Sequence, residues 1–272
     1  MDQLLRWRSA TFVTVIGDSH SGKTTLICAL YDRFLRGPFA GLTFVGSRTL
    51  VALERRSHHA RIESGRVTPE TTRTTIGDGL RYFHLAVARD GLRAPRVDLL
   101  LSDRAGEVYR QARDDSSVVS ILEEIPRSNR LILLLDGARI ADPFERNGAL
   151  HSVRQTLRVL LDNDALNKNA IVQVVTTKVD LTAAHEDADA IQVLLAAFKE
   201  RLSADFAERL SSLTFHDIAA RDPNGEFQPA HGVAQLIDDW TTPRALHVEQ
   251  ALPVGPRLET EFDRLLMRTP IE

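Results

Sequence analysis

The chain has 272 residues, of which 43% are hydrophobic and 26% are charged, so it can bury the core of one large domain. Its net charge of −3 argues against binding driven by bulk charge to nucleic acid or to a membrane. The single cysteine excludes an internal disulfide framework. No apolar run approaches the ~18 residues of a membrane helix, and the N-terminal MDQLLRWRSA is too short and too charged for a signal peptide. We therefore expect a cytoplasmic protein.

Apolar runs alternate with segments of helical periodicity along the chain. Strands are predicted at 11–17, 79–88, 96–103, 130–137, 170–178 and 213–220. Helices are predicted at 22–35, 145–162, 187–212 and 232–240. The strands at 79–88 and 96–103 flank the turn-forming sequence RDGLRAP and predict an antiparallel hairpin. The other strands, apolar throughout and separated by helices, predict an α/β fold with a mostly parallel sheet and helices on both faces.

Two segments interrupt this alternation. Residues 37–78 are too long for a simple loop, and they contain a short predicted strand and helix, so we interpret them as an insertion. We expect the basic sequence ERRSHHAR (54–61) in this insertion to form a solvated helix face. From residue 243 onward the chain carries four prolines, which predict a C-terminal tail over 243–272 that packs on the domain or serves a partner.

The sequence VTVIGDSHSGKTTLICAL (14–31) contains the pattern G-x-x-x-x-G-K-S/T between a predicted strand and a predicted helix. Glycines let the backbone curl so that its N–H groups surround a polyphosphate, and the helix N-terminus adds partial positive charge. Lys23 can reach the outer phosphates, and the Thr24 hydroxyl can bind Mg²⁺. The predicted phosphate contacts are Gly17, Asp18, Ser19, His20, Ser21, Gly22, Lys23, Thr24 and Thr25, with the His20 side chain facing solvent.

A second motif lies in VDLLLSDRAGE (97–107), where a buried strand ends at Asp103 and Gly106 follows closely. A carboxylate in this position can hold Mg²⁺ through water, and the Gly106 N–H can meet a γ-phosphate. We interpret Arg104, inside this turn, as a surface arginine rather than a catalytic one.

A third motif, VVTTKVD (174–180), indicates which base is bound. Asp180 can accept both N1–H and the 2-amino group of guanine, a donor pair that adenine lacks. The stem of Lys178 can lie along the purine, and Thr177 can tie this segment to the phosphate loop. In DIAAR (217–221), the Ala220 N–H can meet guanine O6 and Arg221 can shield the ring.

By these residues the chain resembles the Ras-like GTPases of the TRAFAC class over 11–225, with T-K-x-D in the form seen in the Rho family. FVGSRTLVALERRSHHARI and TPETTRTTIGDGLRYFHL look most like the bacterial double-GTPase domains. The resemblance implies a three-layer P-loop NTPase fold, with a mostly parallel six-stranded sheet, one antiparallel hairpin strand and helices on both faces. It also implies a GTP-binding domain over 1–242, including the 37–78 insertion and switch region, that cycles between GTP·Mg²⁺ and GDP and binds a protein effector.

A switch of this kind needs a threonine that meets both Mg²⁺ and the γ-phosphate. The candidates are Thr68, Thr71, Thr72, Thr74 and Thr75. Thr75 leads, because Thr75-Ile76-Gly77 stands just before a strand, as T-I-G does in Arf- and Rab-like proteins, and Thr74 follows closely. The predicted metal ligands are therefore Thr24, Thr75 and Asp103.

The predicted catalytic residues are Lys23, Gly106 and Glu107. Ras-like proteins keep a glutamine after this glycine, and the charge of Glu107 is unfavourable beside a γ-phosphate. We therefore expect slow intrinsic hydrolysis, increased by an arginine from a partner.

Two alternatives remain open at this point. One is a GTP-binding structural or assembly subunit with little or no turnover, which single-turnover hydrolysis with and without Glu107→Gln would separate. The other is a P-loop ATPase or kinase, in which TTKVD would be accidental. Comparing GTP and ATP binding, and testing Asp180→Asn, would distinguish this alternative from a GTPase.

Overall fold

The computed structural model describes residues 9–58, 74–89, 95–220 and 227–242. Several predicted features lie outside these residues: the tail at 243–272, the switch candidates Thr68, Thr71 and Thr72, and Arg221. Within the described part of the chain, no helix combines the length and the apolar character that crossing a membrane requires.

The described strands are β1 (Ala10–Ile16), β2 (Leu42–Gly46), β3 (Arg81–Arg89), β4 (Arg96–Asp103), β5 (Arg130–Asp136), β6 (Ile171–Thr177) and β7 (Leu213–Asp217). The α-helices are α1 (Lys23–Leu35), α2 (Leu50–His58), α3 (Gly106–Asp114), α4 (Gly137–Ala141), α5 (Arg146–Asp162), α6 (Val179–Ala183), α7 (Ala188–Phe206) and α8 (Val233–Thr241). Short 3₁₀ helices span Ile76–Asp78 and Ser116–Ile121.

The strands form one sheet in the order β2-β3-β4-β1-β5-β6-β7. Strands β4, β1, β5, β6 and β7 run parallel, while β3 pairs antiparallel with both β2 and β4. The predicted fold class is confirmed. The sheet has seven strands rather than six, because the short strand of the insertion pairs with β3 and extends the sheet edge.

Two hydrophobic cores lie on opposite faces of the sheet, as β5 illustrates. Successive strand side chains point to opposite faces, so Ile132 and Leu134 join a core with α1 and α8. Leu131, Leu133 and Leu135 join a second core with α3, α5 and α7. Each fully buried aliphatic side chain contributes about 1.5–3 kcal/mol to folding. The helix layers on both faces therefore hold the sheet rigidly beneath the loops that follow its strands.

The carboxyl ends of the parallel strands meet at one edge of the sheet, where ligands bind in such folds. Strands β1, β4, β5 and β6 end there, each followed within a few residues by a helix. Helices α3, α4 and α6, at this edge, were not predicted from the sequence. The long helix predicted over 187–212 ends at Phe206.

Candidate functional site

The phosphate loop joins β1 to α1. Gly22 adopts a left-handed conformation with φ 96° and accepts the first backbone hydrogen bond of the helix from Leu26. A glycine is favoured here because other residues rarely adopt such a φ. Buried Lys23 donates through Nζ to the carbonyl oxygens of Gly17 and Asp18, at 2.7 Å each. The ammonium group of Lys23 thus lies across the loop. His20, in the same loop, is exposed, as predicted.

A cluster of oxygen atoms lies at the helix end of this loop, and we call it the hydroxyl corner: Thr24, Thr74 and Asp103. The Thr24 hydroxyl donates to Asp103 Oδ1 at 3.3 Å, and the Thr74 hydroxyl donates to Asp103 Oδ2 at 2.9 Å. The two hydroxyl oxygens are 3.5 Å apart. The Asp103 side chain is 0% exposed, so these hydroxyl groups take the place of water around its oxygens.

The structure brings Thr74 rather than Thr75 to the hydroxyl corner. Thr75 is exposed, and its hydroxyl donates to Asp78 Oδ2 at 2.9 Å. The Thr75 backbone N–H donates to the same carboxylate at 2.8 Å, so Thr75 caps the 3₁₀ helix that follows it. The sequence preference for Thr75 is one residue out of register with this arrangement.

Arg56 of the insertion also reaches the hydroxyl corner. Its Nη1 donates to Thr74 Oγ1 at 3.1 Å, and its Nη2 lies 3.6 Å from Asp103 Oδ2. Arg56 is 9% exposed and Ser57 is fully buried, so the expectation of a solvated helix face is wrong for these two residues. The residues share a face of α2 with buried Leu53, three and four positions earlier, and this spacing was the signal that could have found them.

The turn after β4 packs against the phosphate loop backbone to backbone. A Cβ on Gly106 would lie 2.5 Å from the Ser19 nitrogen and 2.6 Å from the Asp18 carbonyl carbon. Only glycine fits at this distance, because none of these atoms can move without moving the loop. Glu107 follows in the first turn of α3 and is half-buried.

Arg104 is not a surface residue, contrary to the sequence interpretation. It is buried and donates to both carboxylate oxygens of Glu124, at 2.7 and 2.9 Å. The Tyr109 hydroxyl donates to the same carboxylate at 3.0 Å. Arg104 therefore forms a bidentate ion pair with Glu124, which fixes the direction of its guanidinium group.

The third motif lies beside the phosphate loop. The Thr177 hydroxyl donates to the Ser21 carbonyl oxygen at 2.9 Å, which is the tie predicted from the sequence. Lys178 has a left-handed φ of 52°, and its Nζ lies 2.8 Å from Asp136 Oδ1. Asp180 is 5% exposed, in the first turn of α6.

Two further contacts bring the neighbouring strand ends to this motif. A Cβ on Gly137 would clash with the carbonyl oxygens of Thr177 and Lys178, so β5 and β6 end in direct backbone contact. The Val179 N–H donates to the Ile218 carbonyl oxygen at 3.2 Å, which holds the segment leading to half-buried Ala220.

An arginine clamp, absent from the sequence predictions, holds Asp18 of the phosphate loop. Asp18 Oδ1 accepts from Arg113 of α3 at 2.7 Å, and Oδ2 accepts from Arg139 of α4 at 2.8 Å. Burial alone would raise the pKa of Asp18, but the two guanidinium groups outweigh it and lower that pKa. The loop is thereby ionically tied to the helices that follow β4 and β5.

A mostly parallel sheet covered on both faces, with a glycine-rich strand–loop–helix at its carboxyl edge, is the architecture of a phosphate-loop nucleotide-binding protein. Residues 11–241 match the family described as Double-GTPase 2, and the chain belongs to that family. The resemblance to the double-GTPase domains stated from the sequence is thus confirmed.

Among solved structures, the chain is similar to Roco2 RocCORdC of Methanosarcina barkeri bound to GDP, with a TM-score of 0.41 and 15% identity. The similarity covers 85% of this chain and 49% of that protein, so this chain spans about half its length. Comparison with curated proteins gives no match.

Proposed function

We propose that the chain is a guanine-nucleotide-dependent molecular switch that binds GTP with Mg²⁺, hydrolyses it slowly to GDP and binds a protein effector in one nucleotide state. One observation carries this proposal. The phosphate loop, the hydroxyl corner and the buried carboxylate of the T-K-x-D turn meet at the same edge of one sheet. The phosphate loop would bind the triphosphate, the hydroxyl corner would bind its metal ion, and the carboxylate would bind its base.

The phosphates are expected to replace internal partners of Lys23. Its ammonium group bonds two loop carbonyl oxygens at 2.7 Å, so it can exchange those neutral acceptors for charged phosphate oxygens with little movement. The loop N–H groups and the N-terminus of α1 add further stabilisation. The Gly106 N–H is the proposed donor to the γ-phosphate.

The hydroxyl corner fits Mg²⁺, because two hydroxyls and a carboxylate are the hard oxygen donors that this ion prefers. We assign Thr24, Thr74 and Asp103 to hold the ion, directly or through water, with Thr74 in place of Thr75. When bound, Mg²⁺ would neutralise charge on the outer phosphates. The chain's own part is to present these oxygens in one buried cluster, next to the phosphate loop.

Asp180 is proposed to select guanine. A buried carboxylate can accept two parallel N–H groups, so it favours the N1–H and 2-amino pair and disfavours adenine, which presents an acceptor at N1. Asp180→Asn is expected to weaken GDP binding and to gain xanthosine diphosphate, measured by titration calorimetry. The gain of xanthosine diphosphate is itself the control for general damage, because a damaged site would bind neither nucleotide. Wild-type protein that binds ATP as well as GTP would refute this assignment and favour a P-loop ATPase.

Turnover depends on what Glu107 does. Its carboxylate can orient water, but its charge opposes the γ-phosphate, which also favours a second candidate function: a GTP-binding assembly subunit with little turnover. Phosphate release under single-turnover conditions separates the two. If the wild type releases phosphate slowly and Glu107→Gln releases it at a different rate, the switch is supported. If neither protein releases phosphate, the assembly subunit is supported.

A partner surface is proposed beside the hydroxyl corner. Val51 lies on α2, the helix that carries Arg56, and is 66% exposed, and Ile76, two positions after Thr74, is 54% exposed. A contiguous patch of exposed apolar side chains is typical of a surface that a partner covers. We expect a cytoplasmic effector to bind here in one nucleotide state only.

A further inference from the structure

Arg56 extends away from the contacts that anchor its helix. Helix α2, which carries it, is fixed by fully buried Leu53 and by a hydrogen bond from the Tyr31 hydroxyl to Glu54 at 2.9 Å. The helix would be anchored without Arg56. Its guanidinium group nevertheless extends into the hydroxyl corner, where it contacts Thr74 and lies 3.6 Å from the Asp103 carboxylate.

This guanidinium group competes with any cation that enters the corner. Like charges a few ångströms apart in a buried site repel strongly, so a divalent ion held by Asp103 would displace the arginine head from that carboxylate. An anion that could then pair with the arginine is the triphosphate of the adjoining loop. Thr74 Oγ1, the atom that Arg56 already contacts, lies 3.5 Å from Thr24 Oγ1 at the end of that loop.

Other arginines near the loop are already paired. Arg104 is held by both oxygens of Glu124, and Arg113 and Arg139 are held by Asp18. Of these four, Arg56 is the one whose anionic partner is also the proposed metal ligand. Metal binding therefore acts directly on its position.

We propose that Arg56 is a catalytic arginine supplied by the chain itself, which pairs with Asp103 before Mg²⁺·GTP binds and with the γ-phosphate afterwards. In the reaction, water attacks the γ-phosphorus, the bond to the β–γ bridging oxygen breaks, and GDP leaves with that electron pair. The proton of the attacking water passes to phosphate. Arg56 stays protonated throughout and donates hydrogen bonds to the oxygens over which charge spreads. The inference rests on the proposed function.

The test uses the full chain with Arg56→Gln, Arg56→Lys and the matched control Arg55→Gln, which removes an exposed arginine from the same helix. Single-turnover GTP hydrolysis is expected to fall by roughly 10³-fold in Arg56→Gln. Arg56→Lys should recover little of this, because an ammonium group cannot reproduce the planar donor pair. Arg55→Gln should hydrolyse GTP like wild type.

Two readouts do not depend on turnover. Wild type and Arg55→Gln should gain thermal stability when aluminium fluoride is added to the Mg²⁺·GDP complex, whereas Arg56→Gln should not. Without metal and nucleotide, Arg56→Gln should melt at a lower temperature than wild type, because buried Asp103 loses a cation. Arg56→Lys keeps that charge and should remain folded if the glutamine variant does not.

The outcomes separate this inference from the proposed function. Wild type that fails to bind a fluorescent GDP would overturn the proposed function and, with it, the inference. If GDP binds, the inference is overturned by Arg56→Gln that hydrolyses GTP at the wild-type rate. It is also overturned by wild type that neither hydrolyses GTP nor responds to aluminium fluoride. Retained GDP binding with lost hydrolysis and lost fluoride response supports it.

Discussion

Replacing Asp18 tests the ionic anchoring of the phosphate loop. Its carboxylate accepts from Arg113 at 2.7 Å and from Arg139 at 2.8 Å, and its side chain is 12% exposed. Asparagine keeps the shape and one acceptor oxygen but leaves two guanidinium groups without their shared anion. Breaking a buried ion pair costs about 3–5 kcal/mol. Because this cluster is partly exposed and one hydrogen bond can persist, we expect Asp18→Asn to lose about 2–3 kcal/mol of unfolding free energy.

Such a loss lowers the Tm by roughly 5–10 °C in a chain of this size, which thermal unfolding followed by circular dichroism would detect. Glu145→Gln is the matched control, since Glu145 also pairs with Arg139, at 2.9 Å, but its side chain is 55% exposed. An exposed pair contributes less than about 1 kcal/mol. Equal changes in Tm for the two variants would refute the reasoning that burial makes the Asp18 pairs strong.

The same variant has a predictable pH dependence. The pKa of Asp18 is lowered in the folded protein, despite its burial, by Arg113 and Arg139. The contribution of Asp18 to the free energy of unfolding is therefore fully present above its ordinary pKa of 3.8. This contribution is lost as the pH falls through the lower pKa that Asp18 has in the folded protein. The difference in stability between wild type and Asp18→Asn should shrink over that interval. Hydrogen exchange of the α3 amides should be faster in the variant, since Arg113 ties α3 to the loop.

Three further predictions test the site and the sheet. Gly106→Ala is expected to abolish binding of a fluorescent GDP, because its Cβ would lie 2.5 Å from a backbone nitrogen of the phosphate loop; wild-type affinity would contradict this packing. Thr74→Ala should weaken Mg²⁺-dependent GTP binding about 10- to 100-fold, while Thr75→Ala should change this affinity less than about threefold. A larger loss in Thr75→Ala than in Thr74→Ala would favour the sequence prediction. Burial lowers the pKa of His84 in the folded protein. Below pH 6.5, His84 therefore binds a proton more readily in the unfolded chain than in the folded protein, so the free energy of unfolding should fall as the pH drops from that value. His84→Gln should show a smaller fall in Tm between about pH 7 and 5.5, with a remainder from His216, whose pKa burial also lowers; an unchanged fall would contradict the assignment.

The central strands could be predicted closely because both of their faces are buried. The run LILLL in β5 supplies residues to both cores, so a nearly continuous apolar sequence has one consistent interpretation. Helix α3 was missed because GEVYRQARD is largely polar, with only a few apolar positions facing the core. Its position depends on contacts with residues far away in the chain, such as the pairing of Arg113 with Asp18.

The phosphate loop could be predicted because its chemistry is contained in a few consecutive residues. The hydroxyl corner could not be predicted fully, because it joins residues that are 29 to 79 positions apart. Thr74 and Thr75 are adjacent and chemically identical, so the sequence does not show that Thr74 bonds Asp103 while Thr75 caps the 3₁₀ helix. Arg55 and Arg56 are also adjacent and identical, but the three-residue spacing of Arg56 from buried Leu53 distinguishes them in the sequence.

The close approach at Gly106 has a mechanical consequence. With no side chain between this turn and the phosphate loop, there is no compressible layer to absorb relative displacement. A shift of even a few tenths of an ångström in one backbone must therefore be matched by the other. A movement of the phosphate loop would therefore be transmitted directly to the start of α3.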